Sequence, residues 1–280
     1  MNSKLNIVDL GRDGLLDYTV KQISNLIPDG RHALIRPVLD RYFDEALERV
    51  RRCVNAVKTW EVDRFYYLHS TQYCTYLYFL SNTIWRETGS AEVPTKLFLL
   101  NKALNGIDLF YEIGMPDIFF IGHSTGIVLA KAVYSDYFVI YQNATVGKNH
   151  GVAPVIGAGV IMYPNTAVIG KSAIGKGAII SQGVSVINDD VASGCMVFAC
   201  ADGLLYKPCK RTIIEDFFRF LFSSDFNRMT SESTFSRGSS FQSQCYPAIY
   251  SADFPPRRSD VFGSRYEGAP SAIPVAPSKQ

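Results

Sequence analysis

Two hydrophobic patterns follow one another along the chain, and the first is helical. From Ile35 to Val57, apolar residues recur every three or four positions, which predicts an amphipathic helix with one buried face. An aromatic-rich stretch from about Val62 to Arg86 and a shorter one from Thr95 to Asn105 predict two more helices. Gly106 follows directly, and glycine commonly ends a helix in the left-handed conformation. We therefore expect residues 1–107 to form an α-helical domain.

After Gly106 the hydrophobic period becomes six. Steps of six connect two series of aliphatic or methionine positions: Ile121, Ile127, Val133 and Val139, then Ile156, Met162, Val168, Ile174, Ile180 and Val186. Small or β-branched residues follow four positions later in the second series, at Val160, Thr166, Ser172, Ala178 and Val184. This is the period of hexapeptide solenoids, whereas helices repeat near 3.6 and ordinary strands near two. We expect a parallel β-helix over 108–206. A glycine-rich parallel sheet is the alternative, but nothing helical separates the strands.

A third composition begins near Lys207, and we treat 207–280 as a separate region. Arg211 to Phe222 predicts a short amphipathic helix docked on the body of the protein. From Ser223 onward the chain is rich in serine and proline and has no periodicity, which is typical of a disordered tail. No activity is expected there.

Composition narrows the classes of partner. The chain is 47% hydrophobic and its formal net charge is +2, so it lacks the concentrated basic character of proteins that bind nucleic acid or anionic membranes. We find no secretory leader and no apolar run long enough to cross a bilayer, and we expect a cytoplasmic protein without a membrane span. The six cysteines form no CxxC motif, so we expect reduced thiols and no metal site.

One short motif suggests a serine hydrolase. Residues 122–126, Gly-His-Ser-Thr-Gly, match the G-x-S-x-G elbow and follow an apolar stretch. A triad also needs an acid and then a histidine after Ser124, and only Asp136 and His150 occur in that order nearby. The six-residue period also continues where the elbow helix would have to form. We therefore do not favour the hydrolase.

The same residues are more informative in a longer frame. Residues 123–128 read His-Ser-Thr-Gly-Ile-Val, and residues 141–147 read Tyr-Gln-Asn-Ala-Thr-Val-Gly. This resembles the serine acetyltransferase family, whose pattern is Asp-His-Ala-Thr-Gly-Ile-Val, then Gln-x-Val-Thr-Leu-Gly-Gly, a loop with a second histidine, and regular hexapeptides. The resemblance covers roughly Gly106 to Ala192. It implies that the β-helix is left-handed and that the overall fold class is α+β.

The resemblance also implies a catalytic set. His123 matches the family's general base. Asp108 lies 15 residues earlier, at the spacing of the aspartate that orients this base, and His150 matches the second active-site histidine. Histidine titrates near neutral pH, as proton removal from an attacking hydroxyl requires, and a carboxylate on the other ring nitrogen would fix the tautomer. Backbone N–H groups or His150 would stabilise the oxyanion.

In this family acetyl-CoA is the co-substrate and lies in a groove between adjacent β-helix walls. The matching positions here are Gly147, Lys148, Gly157, Ala158, Lys171 and Lys176. The three lysines are candidates for the phosphates of coenzyme A.

The sequence departs from the family where serine would bind. The family's aspartate before the catalytic histidine, which helps to hold the serine amino group, is replaced by Gly122, and the arginine before the second histidine is replaced by Asn149. A zwitterion is best recognised by paired opposite charges, and both are missing. The terminal isoleucine that docks into cysteine synthase is also absent from the sequence, which ends at Gln280.

These observations lead us to expect an acetyl-CoA-dependent O-acetyltransferase acting on a small-molecule hydroxyl, of L-serine or of a sugar. The alternatives are a non-catalytic β-helix scaffold and a sugar N-acetyltransferase. The resemblance implies a homotrimer or a dimer of trimers with active sites between subunits, and a short open-ended solenoid is well suited to such symmetry.

Overall fold

The structure, a computed structural model, describes residues 4–209 and 214–220. The expected disordered tail from Ser223 onward lies outside the described residues.

Four α-helices precede the strands of the second half in the described part: α1 (Gly11–Leu26), α2 (His32–Ala56), α3 (Ser70–Thr88) and α4 (Glu92–Asn105). The three helices expected from the sequence are confirmed. Helix α3 begins later than Val62, because Arg64–Phe65 instead forms a strand, β2, paired in parallel with β1 (Asn6–Ile7). Gly106 ends α4 with a φ of 63°, as expected of a left-handed C-terminal glycine.

Helix α1 was not expected, and its pattern shows why. One of its four buried positions is polar, because Thr19 is fully buried and its hydroxyl shares a 2.7 Å hydrogen bond with that of Tyr76. The remaining apolar stripe is too narrow to identify from the sequence. Tyr76 itself belongs to α3, which is buried continuously from Thr71 to Ile84 and is therefore the central helix.

The second half is a parallel β-helix built from three sheets, as the six-residue period predicts. The first sheet contains β3 (Asp108–Leu109), β5 (Val128–Leu129), β8 (Thr145–Gly147), β11 (Ala167–Ile169) and β14 (Ser185–Ile187). The second contains β6 (Val133–Tyr134), β9 (Val155–Ile156) and β12 (Ala173–Ile174). The third contains β4 (Phe119–Gly122), β7 (Phe138–Tyr141), β10 (Ile161–Met162), β13 (Ile179–Ile180), β15 (Cys195–Cys200) and β16 (Gly203–Pro208). Only the final β15–β16 pair is antiparallel among the strand pairs described.

The inward positions of the second series are confirmed, since all six residues from Ile156 to Val186 are at most 2% exposed. In the first series Ile121, Ile127 and Val139 are likewise fully buried, and the six-residue step fails at Val133. Val133 is 57% exposed, and its neighbour Tyr134 points inward instead, paired with Ile156. Likewise Ile140, rather than Val139, continues the ladder from Ile121 to Met162.

The segment after the β-helix docks on the body, but not as the expected helix. Of Arg211 to Phe222, residues 214–220 are described, and they contain one 3₁₀ turn, Ile214–Asp216, followed by a bridge between Phe218 and Val57. The guanidinium of Arg219 donates to the carbonyls of Val57, Lys58 and Trp60 at 2.7–2.8 Å. These carbonyls follow the end of α2, where a cation is favoured by the helix dipole.

Within the described residues, no helix is both long enough and apolar enough to cross a membrane. The five cysteines in this part of the chain, Cys53, Cys74, Cys195, Cys200 and Cys209, are free thiols.

Candidate active site

His123 lies directly after β4, exposed, at a corner between the third and first sheets. This corner is longer than its counterpart in the next coil: Leu129 lies eight positions after the inward Ile121, whereas Val146 lies six positions after Ile140. The backbone φ of His123 is 58°, a left-handed conformation that histidine and asparagine adopt more readily than most residues. The longer corner therefore displays the histidine on the surface.

The end of α4 supports this corner. The Ser124 hydroxyl donates to the carbonyl of Asn105 at 2.7 Å, and the Gly126 N–H donates to the carbonyl of Gly106 at 2.9 Å. Ser124 is buried, and the chain continues into β5 rather than into a helix. Ser124 is therefore a structural residue, and the hydrolase motif lacks its strand–turn–helix context.

Asp108 is the first residue of β3 and pairs with Val128 of the neighbouring coil. Its carboxylate accepts a hydrogen bond from the ammonium of Lys102, in the last turn of α4, at 2.7 Å between Nζ and Oδ2. Among the described residues the imidazole of His123 has no hydrogen-bond partner, so the structure does not form the expected contact between Asp108 and His123.

His150 occupies the tip of an inserted hairpin between β8 and β9. The backbones of Asn149 and Val152 exchange two hydrogen bonds of 2.9 and 3.0 Å, around His150 at φ 46° and Gly151 at φ 80°. Two left-handed central residues are the signature of a tight type I′ turn. The insertion lies at the corner between the first and second sheets. Within one chain, His123 therefore lies at the corner where strands of the first sheet begin, and His150 lies at the corner where they end.

The residues matched to coenzyme A binding fall on two corners. Gly147, Lys148 and Lys171 lie with His150 between the first and second sheets, and both lysines are exposed. The remaining three, Gly157, Ala158 and Lys176, lie at the corner between the second and third sheets.

Gly157 is explained by the fold itself. A Cβ atom on Gly157 would lie 2.8 Å from the carbonyl oxygen of Ile174 in the next coil. A side chain there would therefore separate the stacked coils. No cluster of three or more potential metal-binding His, Cys, Asp or Glu side chains occurs in the described part of the chain.

A close approach of Gly122 and Tyr141 lies beside His123, and the motif alone does not predict it. A Cβ atom on Gly122 would be 2.5 Å from Cε1 of Tyr141, its partner on β7. The Tyr141 ring thus fills the space into which the family's aspartate side chain would begin to extend. Burial raises the pKa of the Tyr141 phenol above its ordinary value, so the phenol stays protonated at neutral pH. The signal available in the sequence was a glycine and a tyrosine at neighbouring strand ends.

Comparison with known proteins gives a structural match only. No family model matches the sequence, and no curated protein matches it significantly. The structure of serine acetyltransferase from Vibrio cholerae is similar over 67% of this chain and 76% of that one, with 19% identity and a TM-score of 0.55. The chain has the serine acetyltransferase fold. The soybean apoenzyme matches over 68% of this chain and 82% of its own, with 17% identity and a TM-score of 0.54.

A third serine acetyltransferase structure, a complex with CoA, matches over 67% of this chain and 82% of that one, with 17% identity and a TM-score of 0.55. The left-handed β-helix of the serine acetyltransferase fold, implied by the sequence resemblance, is therefore confirmed together with the helices before it. At these identities the similarity shows a shared fold and assigns no role to any single residue.

Proposed function

We propose that the protein is an acetyl-CoA-dependent O-acetyltransferase whose acceptor is a small-molecule hydroxyl, of L-serine or of a sugar. The observation that carries this proposal is the extended corner, which presents His123 with an open imidazole where two sheets meet. A general base needs a ring nitrogen that can reach the acceptor proton and is not already occupied by a structural hydrogen bond. His123 meets that requirement.

In the proposed reaction, His123 accepts the proton of the acceptor hydroxyl as its oxygen attacks the thioester carbonyl. The carbon–sulfur bond then breaks, and the imidazolium returns the proton to the departing sulfur. Asp108 would orient the imidazole after exchanging its Lys102 partner, and it would stabilise the imidazolium. His150 or backbone N–H groups would donate to the oxyanion.

The coenzyme A positions fit the chemistry of that co-substrate. Lys148 and Lys171 are exposed ammonium groups on the His150 corner and can pair with phosphates. Gly147 lies on the same corner and has no side chain to shield the backbone amides that an extended pantetheine arm needs. Gly157, Ala158 and Lys176 would extend the site along the neighbouring corner.

The site is proposed to lie between subunits of a trimer or a dimer of trimers. In one chain, His123 and His150 lie at the two different corners that bound the first sheet. If both histidines act on the same acceptor, they must come from different copies. Cyclic symmetry generates such a contact three times.

The test uses two substitutions at one position. His123→Asn removes the base but tolerates the left-handed backbone, whereas His123→Ala removes the base and strains the backbone. We expect both variants to lose at least about 10²-fold in acetyl-CoA-dependent thiol release, and only the alanine variant to lose stability. Coenzyme A affinity, measured by calorimetry, should be retained. A His123→Asn variant with more than about a tenth of the wild-type turnover would show that His123 is not the base.

A further inference from the structure

Next to the corner that carries His123, aromatic rings pack on one another; they come from β4, from β7, from the residue after β10 and from the docked C-terminal segment. We call Phe120, Tyr141, Tyr163 and Phe217 the aromatic wall. The rings of Tyr141 and Tyr163 are nearly parallel, with centroids 5.8 Å apart and an interplanar angle of 16°. The ring centroids of Phe120 and Phe217 each lie 6.3 Å from the ring centroid of Tyr141. All four side chains are only partly buried.

Gly122 brings this wall close to His123. Because Gly122 has no side chain, the Tyr141 ring leans across it, and even a Cβ atom there would overlap the ring at 2.5 Å. A carboxylate at position 122 is incompatible with this ring position. An acceptor approaching His123 therefore meets an aromatic surface where the family resemblance would place a charge.

The wall also offers hydrogen bonding. Neither the Tyr141 nor the Tyr163 hydroxyl has a hydrogen-bond partner among the described residues. Both can therefore donate to, or accept from, a bound molecule. An apolar surface with a small number of free polar groups is the usual composition of a small-molecule site.

We propose that the acceptor is a neutral pyranose ring stacked on the aromatic wall, and that Tyr141 determines this specificity. The C–H groups on one face of a pyranose are weakly positive and match the negative face of an aromatic ring. The free phenols would bind ring hydroxyls, and the hydroxyl facing His123 would be acetylated. The inference rests on the transferase function proposed above and assigns its substrate class.

A free amino acid fits the wall poorly. L-serine carries an ammonium and a carboxylate, and desolvating either of them requires an opposite charge. Gly122 and Asn149 provide none at the two positions that the resemblance associates with serine. The same chemistry is therefore shifted from a charged acceptor to a neutral one.

The experiment measures thiol release from acetyl-CoA by the full-length protein, with L-serine, methyl β-D-galactopyranoside, methyl α-D-glucopyranoside and UDP-N-acetylglucosamine as acceptors. We expect at least one pyranoside to have a kcat/KM about tenfold or more above that of serine. Tyr141→Leu should raise the KM for that pyranoside about tenfold with little change in kcat, because it removes binding rather than the base. Tyr141→Phe keeps the ring and should raise this KM less than Tyr141→Leu does.

Tyr67→Leu is the matched control, because Tyr67 is also half-buried and packs its ring on Tyr18 in the helical part. Tyr67→Leu should leave kcat and KM unchanged for every acceptor. If Tyr141→Leu does not fold, Tyr163→Leu, which keeps Tyr141 over Gly122, must still raise the pyranoside KM. A folded Tyr141 or Tyr163 leucine variant with an unchanged KM would overturn the proposal.

The acceptor panel separates this inference from the underlying function. Faster turnover of L-serine than of every pyranoside, abolished in His123→Asn, would overturn the pyranose assignment and leave the transferase intact. Thiol release that no probe raises above the His123→Asn background would refute the transferase and the pyranose assignment together.

Discussion

At His123 the backbone decides which substitutions are informative. Its φ of 58° is close to the 53–60° of three asparagines that hold other turns of the β-helix, Asn143, Asn165 and Asn188. Asparagine tolerates this region because its short polar side chain can bond locally. His123 thus occupies a conformation that asparagine fills elsewhere, and this is why His123→Asn separates chemistry from folding.

A second prediction at the residue scale concerns Asp108. Asp108→Asn should lower kcat less than His123→Asn does, because it misorients the base without removing it. The double variant should be no slower than His123→Asn alone, since residues that act as a unit are not additive. Steady-state kinetics of the three variants would test this, and additive losses would contradict it.

Lys102→Met is the control for the observed ion pair. If Asp108 serves His123, releasing its carboxylate from Lys102 should leave kcat close to the wild-type value. If the aspartate only fastens β3 to α4 through the 2.7 Å contact, Lys102→Met should be as slow as Asp108→Asn. The exposed pair contributes little stability by itself, so the comparison is not confounded by unfolding.

At the scale of elements, the period of six predicted the β-helix, but corner lengths could not be derived from it. The corner after Ile121 is two residues longer than a regular repeat, and the next one, from Leu129 to Tyr134, is one residue shorter. The two deviations nearly cancel. Two strict steps of six from Ile121 therefore end on Val133, one residue before the inward Tyr134. Val133 is aliphatic, and hydrophobicity alone gives no warning of the slip.

Some features of the candidate site could likewise be predicted from the sequence, and others could not. His123, Asp108 and His150 could be found from a motif, because motifs preserve residue types at fixed spacings. The ring of Tyr141 over Gly122 could not, because it depends on strand register between positions 19 residues apart. The pairing of Asp108 with Lys102 likewise depends on how α4 meets β3.

Coil stacking gives a prediction at this scale. A Cβ atom on Gly175 would lie 2.8 Å from the backbone carbon of Ala192 in the next coil, and backbone cannot move aside as a side chain can. Gly175→Ala should therefore lower the free energy of unfolding by about 1–3 kcal/mol. Gly114→Ala is the control, because no heavy atom lies within 4 Å of its Cβ position. Urea titrations at one protein concentration would compare them, and equal stabilities would show that the coils can separate without cost.

At the scale of the whole molecule, the helices and the β-helix are joined at the candidate site. Asn105, the last residue of α4, and Gly106, which caps the helix, supply the carbonyls that hold the His123 corner. The domain boundary after residue 107 stays a prediction, but these hydrogen bonds cross it. The helical region therefore positions the site as well as preceding it in the chain.

The surface beside the two histidines indicates how copies of the chain would meet. Exposed valines lie next to each site: Val128 follows the His123 corner, while Val152 and Val155 flank the end of the His150 hairpin. Exposed apolar side chains grouped around a site commonly mark an interface. Packing Val128 of one copy against Val155 of the next would bring His123 towards the partner's His150. Repeated three times, such a head-to-tail contact would close into a ring.

The last prediction follows from that contact. Val155 is 49% exposed, and Val155→Glu would place an unpaired charge in the interface. We expect wild-type protein to be a trimer or a dimer of trimers by mass photometry, and Val155→Glu to shift it towards monomers. Activity should fall with the loss of trimers, because each site would lose its second histidine. Val62→Glu, at a valine that is 50% exposed in the helical part, should keep both the assembly and the activity. Fully active wild-type monomers, or Val155→Glu trimers as stable as the wild type, would contradict a site shared between subunits.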